Sequence, residues 1–321
     1  MSTPVAGRRT AEPVRTAAGD CTRGRVRGDG VELAFRRWSG DGPPVVAVHA
    51  LTSSSLSFGG VAERLAGRRN LVAFDLRGRG DSDKPSGPYG ILQHACDLDL
   101  ALSRMRINRP VVVGHSMGAY VAAALAAVRP EQVAGVVLLD GGHPQALPPH
   151  ADPNAVLERI LGPVLTRLRL SFRDPGAYLD YWRDLPYFRH PDGRSAWGPW
   201  VEAFLADDLA DTGDSLFRPK ADEVAVRADF ADMSRPVPVE AGLRVLAEQR
   251  VPVMVVRAER GLTPVDPPVV SDDALNVLRG ILPGVVEHTV ADTTHYTVLL
   301  GDPGASTVAD LLAGLGERSG I

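Results

Sequence analysis

Thiols are scarce in this chain: Cys21 and Cys96 are the whole complement, and neither belongs to a Cys-x-x-Cys pair. Two such thiols build no disulfide framework. There is no HExxH and no His/Asp cluster at ligand spacing, so no metal is expected. No apolar run approaches the ~20 residues that cross a bilayer, and no membrane partner is expected. Charge of one sign is also missing. The formal net charge is −4 over 321 residues, which offers no basic surface to nucleic acid or anionic lipid. Lysine is rare beside arginine, a coding bias rather than a binding signal. The Arg-Gly-Arg-Gly run at 77–80 is not followed by G-K-[ST], so it is no phosphate loop, and no cofactor is expected. The opening stretch "MSTPVAGRRTAEPVRTAAGD" lacks the apolar segment of a secretory leader. Glu12 and Asp20 argue against a transit peptide. Residues 1–22 are therefore expected to be a mobile tail, and the protein cytoplasmic.

What remains is an ordinary globular composition, 44% hydrophobic and 23% charged. "GRVRGDGVELAFRRW" (24–38) reads as a hairpin turning at Gly28-Asp29-Gly30. Short Val/Leu runs follow: "PPVVAVHA" (43–50), "LVAFDL" (71–76), "PVVVGHS" (110–116), "VAGVVLLD" (133–140) and "VPVMVVRAE" (251–259). Near-continuous apolar runs suit parallel strands covered on both faces. Helical stretches separate them at 56–66, 89–106, 117–128, 271–281 and 303–317. This alternation predicts an α/β fold with a doubly wound, mostly parallel sheet. One interval breaks it: from Gly141 to Val237 no strand pattern is visible, while Trp182, Trp197, Trp200 and several Tyr and Phe cluster there. It reads as a helical insertion, its aromatics forming either a small core or a pocket wall. The division is then 23–140 and 238–321 for the core and 141–237 for a helical cap.

Gly114-His115-Ser116-Met117-Gly118 matches G-x-S-x-G, between an apolar strand and an Ala-rich helix. In that context the two glycines permit a tight turn that exposes the serine hydroxyl at a helix N-terminus. A serine hydroxyl needs a general base. Of the eight histidines, His115 sits inside the turn, His94 in a helix, His143, His150 and His190 in or beside the insertion, and His288 in a late strand. His49 and His295 remain. His295, in "ADTTHYTVLL", follows the last strand and suits the chain order Ser…acid…His.

These pieces resemble the α/β-hydrolase superfamily, esterase- and lactonase-like. The resemblance is carried by "VVAVHALTSSS", "VAFDLRGRGDSDKP", "VVVGHSMG" and "TTHYTVLL", in that order, across residues 24–140 and 238–315. It implies an oxyanion hole from the backbone N–H groups of Leu51 and Met117. It makes His49 a loop organiser, in a His49-Ala50 step where the family usually has His-Gly. Asp75 reads as structural, holding the arginine-rich turn of Arg77 and Arg79. The usual family acid would follow "VPVMVVRAE", but Gly261 occupies that position. Some relatives carry the acid one strand earlier, which points to Asp140 at the end of "VAGVVLLD", with Glu259 and Asp266 as alternatives. A serine nucleophile sets the chain apart from dehalogenase and epoxide-hydrolase relatives, which use Asp. The expected activity is hydrolysis of an ester, lactone or thioester of a small-molecule substrate through an acyl-enzyme, with Ser116, His295 and Asp140 as triad. Cyclising acyl transfer, carbon–carbon hydrolysis by the same triad, oxygen- or peroxide-dependent turnover and a catalytically silent ligand-binding protein are the other readings.

Overall fold

The apolar runs pair into one nine-stranded sheet in the computed structural model, which describes residues 12–16, 19–145, 147–148 and 150–315. In chain order the strands are β1 (Glu12–Thr16), β2 (Gly19–Arg27), β3 (Glu32–Trp38), β4 (Pro44–Val48), β5 (Asn70–Phe74), β6 (Val111–His115), β7 (Gly135–Leu139), β8 (Leu209–Asp211), β9 (Phe217–Pro219), β10 (Val253–Ala258) and β11 (Val286–Val290). The large sheet has the order β1-β2-β3-β5-β4-β6-β7-β10-β11, and β8 and β9 form a separate pair. β1, β2, β3 and β5 meet antiparallel. From β5 to β11 every pairing is parallel.

Alternation along the central strands feeds two apolar layers. In β4, Val46 and Val48 join one cluster with Leu98, Tyr120 and Leu243, from helices Ile91–Met105, Met117–Val128 and Pro236–Glu248. Val45 and Ala47 join the other with Val61 and Val308, from helices Gly59–Leu65 and Gly304–Gly314. Successive side chains of a strand point to opposite faces, so a strand that is apolar throughout is buried on both sides. Among the described residues no helix is long and apolar enough to cross a membrane.

The hairpin expected at 24–38 forms from β2 and β3, with Gly28 N–H donating to Val31 O at 2.8 Å and Gly30 at φ 71°. The expected tail is partly strand instead. Residues 12–16 are β1 and residues 19–22 begin β2. β2 would otherwise leave a free edge of N–H and C=O groups, which β1 pairs. Residues 1–11, 17 and 18 of that stretch lie outside the described residues.

Between β7 and helix Pro236–Glu248, the inserted residues form helices Pro153–Thr166, Pro175–Arg183, Pro199–Asp207 and Glu223–Met233. The first two start at Asp-Pro steps. Asp152 and Asp174 accept from Asn154 N–H and Ala177 N–H while proline fills the first helical position, where its missing N–H costs nothing. The β8–β9 hairpin also lies here, where no strand was expected. Its strands have three residues each, too few for a period of two to be visible in sequence. The aromatic residues join the core rather than making a separate one: Trp182 packs against Tyr178, Tyr187 and Phe188 and against Tyr296 of the core.

Candidate active site

Ser116 links the end of β6 to helix Met117–Val128 with φ 55° and ψ −117°, a backbone that non-glycine residues seldom adopt. The surroundings hold it there. Its N–H donates to Leu139 O of β7 at 2.9 Å. A Cβ on Gly114 would lie 1.9 Å from Gly118 O, and one on Gly118 would lie 2.1 Å from Val48 O. The two glycines are thus needed for close backbone approach, which lets the helix start directly beneath β4. Ser116 borders a cavity of about 530 Å³, and its hydroxyl has no hydrogen-bond partner among the described residues.

His295 borders the same cavity. Its loop is fixed by His295 N–H donating to Gly261 O at 2.9 Å and by Thr294 N–H donating to Thr297 Oγ1 at 2.8 Å. His295 Nδ1 lies 2.7 Å from Asp140 Oδ2. Asp140 is fully buried, turns out of β7 at φ 48°, and its other oxygen accepts from Ala258 N–H at 3.1 Å. With one carboxylate oxygen on a backbone amide and the other on Nδ1, the proton of a neutral His295 sits on Nδ1 and leaves Nε2 as the basic nitrogen. The ring is flanked by His115, with centroids 4.6 Å apart, and by Tyr296. Burial pushes His115 well below the ordinary histidine value and His295 adds to the shift, so His115 stands as a neutral ring.

The two other carboxylates are engaged elsewhere. Glu259 Oε2 accepts from Asp292 N–H at 2.8 Å, and Asp266 Oδ2 accepts from Thr263 N–H at 2.9 Å and from its hydroxyl at 2.8 Å. Gly261, at the position where the resemblance puts an acid, has no room for one: a Cβ there would lie 2.4 Å from Pro267 O.

Leu51 lines the cavity, and Met117 is the first residue of the helix after Ser116. Among the described residues neither backbone N–H has an acceptor in a turn, loop or cap. His49 organises the Leu51 loop. Its Nε2 accepts from Leu76 N–H at 3.0 Å and Nδ1 contacts Ala50 O at 2.7 Å, which fixes a neutral Nδ1–H tautomer. Burial lowers its pKa to about 4. Ala50 is not among the positive-φ residues, so no glycine is required at that step. Asp75 is structural and holds the turn of Arg77 and Arg79 through a backbone amide of that turn. It accepts from Ser55 N–H at 2.7 Å and Asp81 N–H at 2.9 Å, with Arg36 3.8 Å away. Arg77 pairs with Asp97 and Arg79 with Asp229.

From the inserted segment, Arg159, Arg167, Trp182 and Phe204 reach the same cavity. Sequence reasoning missed Arg167, since nothing in "LTRLRL" separates it from exposed Arg169. Among the described residues no group of His, Cys, Asp and Glu is placed to hold a metal ion.

Comparison with known proteins bears on the fold. The family model described as alpha/beta hydrolase fold matches residues 43–302. A 2-(acetamidomethylene)succinate hydrolase of Mesorhizobium japonicum is 36% identical over 32% of this chain and 37% of its own length. An N-formylmaleamate deformylase of Pseudomonas putida is 32% identical over 36% of this chain and 44% of its own length. The chain spans about two fifths of the length of the curated relatives it matches. Among solved structures, an E-2-(acetamidomethylene)succinate hydrolase superposes with a TM-score of 0.73 at 23% identity, covering 91% of this chain and 98% of that one. The thioesterase domain from the curacin biosynthetic pathway superposes with a TM-score of 0.71 at 18% identity and the same coverage. These structural likenesses speak for the fold. With a strained serine turn closing β6, a parallel sheet wound on both faces and a family match across most of its length, the chain belongs to the alpha/beta hydrolase fold family.

Proposed function

We propose that this protein is a serine hydrolase that cleaves a carboxylic ester, lactone or thioester of a small molecule through an acyl-enzyme. The observation that carries the reading is the 2.7 Å contact between His295 Nδ1 and Asp140 Oδ2, in the wall of the cavity that Ser116 also borders. In the proposed cycle Ser116 Oγ attacks the carbonyl carbon while His295 Nε2 takes its proton. Asp140 holds the ring and offsets the imidazolium charge. The N–H groups of Leu51 and Met117 receive the oxyanion, a contribution of about 3–4 kcal/mol per donor to the transition state. The leaving group departs with the proton from His295. Water, deprotonated by His295, then attacks the acyl carbon and returns Ser116. The Ser116–His295 hydrogen bond closes when substrate is bound, as such contacts often do. The names of two relatives, a hydrolase and a deformylase, support a hydrolytic reaction.

The test is a fluorophosphonate probe with a short-chain 4-nitrophenyl ester. Labelling at Ser116 is expected, and Ser116→Ala should lose labelling and drop kcat by about 10⁴-fold or more. A folded wild-type protein that is neither labelled nor active overturns the reading.

A further inference from the structure

The proposed cycle leaves one buried cation of the cavity wall unused. Arg167 borders the cavity and is 1% exposed. Its Nη2 donates to Thr52 O at 2.9 Å, and its guanidinium lies over the Trp182 ring, 5.3 Å from the centroid. Asp208 Oδ2 forms a buried ion pair with Nη1 at 3.0 Å, but Nη1 makes no hydrogen bond to it, and that oxygen already accepts from the Tyr178 hydroxyl. Arg167 Nε and Nη1 are therefore buried N–H donors without an acceptor among the described residues. A guanidinium has five donors in a rigid fork, and buried donors are nearly always satisfied. A second cation, Arg159, is exposed, borders the same cavity and has no ion-pair partner among the described residues. The cavity's own carboxylates do not serve either arginine: Asp140 is taken by His295 and Ala258 N–H, and Asp266 by Thr263.

We propose that the substrate carries a carboxylate remote from its scissile carbonyl, received by Arg167 with Arg159 at the mouth of the cavity. This rests on the hydrolytic reading of Ser116 and narrows it to half-esters and half-thioesters of dicarboxylic acids and to esters of carboxylate-bearing alcohols. A carboxylate is the matching anion because its two coplanar oxygens fit a planar fork, and the 530 Å³ cavity has the size of a small-molecule site.

The experiment compares isosteric pairs on the full-length protein: 4-nitrophenyl hydrogen adipate against the 4-nitrophenyl ester of adipamic acid, and 4-carboxyphenyl butyrate against 4-carbamoylphenyl butyrate. Wild type should prefer the charged member of at least one pair by about tenfold or more in kcat/KM, mostly through KM. The charged-to-neutral ratio, taken within each protein, should fall at least fivefold in Arg167→Gln and at least twofold in Arg159→Gln. Should Arg167→Gln not fold, the exposed Arg159→Gln decides, and an unchanged ratio there overturns the assignment. Equal rates within both pairs, with Ser116 still labelled by a fluorophosphonate, overturn the carboxylate and leave the hydrolase. No turnover and no labelling overturn the hydrolase reading itself, and this inference with it.

Discussion

The role proposed for Asp140 rests on its backbone geometry. Its left-handed turn out of β7 puts one oxygen on Ala258 N–H and the other on His295 Nδ1. Asn adopts the same backbone readily and keeps the Ala258 contact, but its amide N–H₂ would face Nδ1 and favour the wrong tautomer of His295. Asp140→Asn should therefore lower kcat by about 10⁴-fold with the fold intact. Glu259→Gln and Asp266→Asn, whose carboxylates serve loop amides, should stay within about tenfold. The three are compared on one 4-nitrophenyl ester with circular dichroism as the fold control, and a deep loss in Glu259→Gln beside an active Asp140→Asn would move the acid. Ser116 and His295 stand out in the sequence as candidates because strand, turn and helix surround them in a fixed local order. The acid was legible only as three candidates. Choosing among them depends on which strand end faces the His295 loop, and that is a property of sheet order, not of local sequence.

The loop after β4 is the element that presents Leu51, and His49 is its fastening. The ring is buried, neutral and bonded to Leu76 N–H on one side and Ala50 O on the other. Its folded pKa of about 4 lies below the ordinary 6.5, so the unfolded chain binds the proton first. Stability is therefore complete above pH 6.5 and is lost as pH falls from 6.5 towards 4, by about 3 kcal/mol for His49 alone. His115 and His143 shift in the same direction, so the whole protein should lose more. Thermal melts of wild type and His49→Gln across pH 7.5 to 4.5 check this. The variant should start about 1–2 kcal/mol less stable, from the weakened loop bonds, and fall less steeply; parallel slopes would mean that His49 is already solvated. At this scale the central strands could be read because they are almost wholly apolar and two helical layers must cover them. β1 and the β8–β9 hairpin could not, since the first is defined by the free edge of β2 and the second has three-residue strands.

Across the whole molecule, the inserted segment is tied to the sheet domain by a buried polar joint at one end. Asp229, on helix Glu223–Met233, lies 2.7 Å from Arg79 and 2.8 Å from His94 Nε2, all three fully buried. Burial alone would raise the Asp229 pKa, but Arg79 and His94 hold it at about 2. Helix Ile91–Met105 has glycine at its N-cap and no cap of its own. Its end is satisfied from the insertion, with Gly90 N–H donating to Asp229 Oδ1 at 2.7 Å and Ile91 N–H to Asp232 Oδ2 at 2.8 Å. Acids at a helix N-terminus accept orphan amides and oppose the helix dipole, so the core helix and the inserted helix are each other's boundary condition. Asp229→Asn keeps an acceptor for Gly90 but strands Arg79 as an uncompensated buried charge, which should cost about 3–5 kcal/mol in urea unfolding. Hydrogen exchange should show residues 90–95 and 223–233 losing protection together, while the strands around Ser116 keep theirs. A loss below about 1 kcal/mol with unchanged exchange would mean that this joint does not bind the two parts, and that the cavity between them is held by apolar contacts alone.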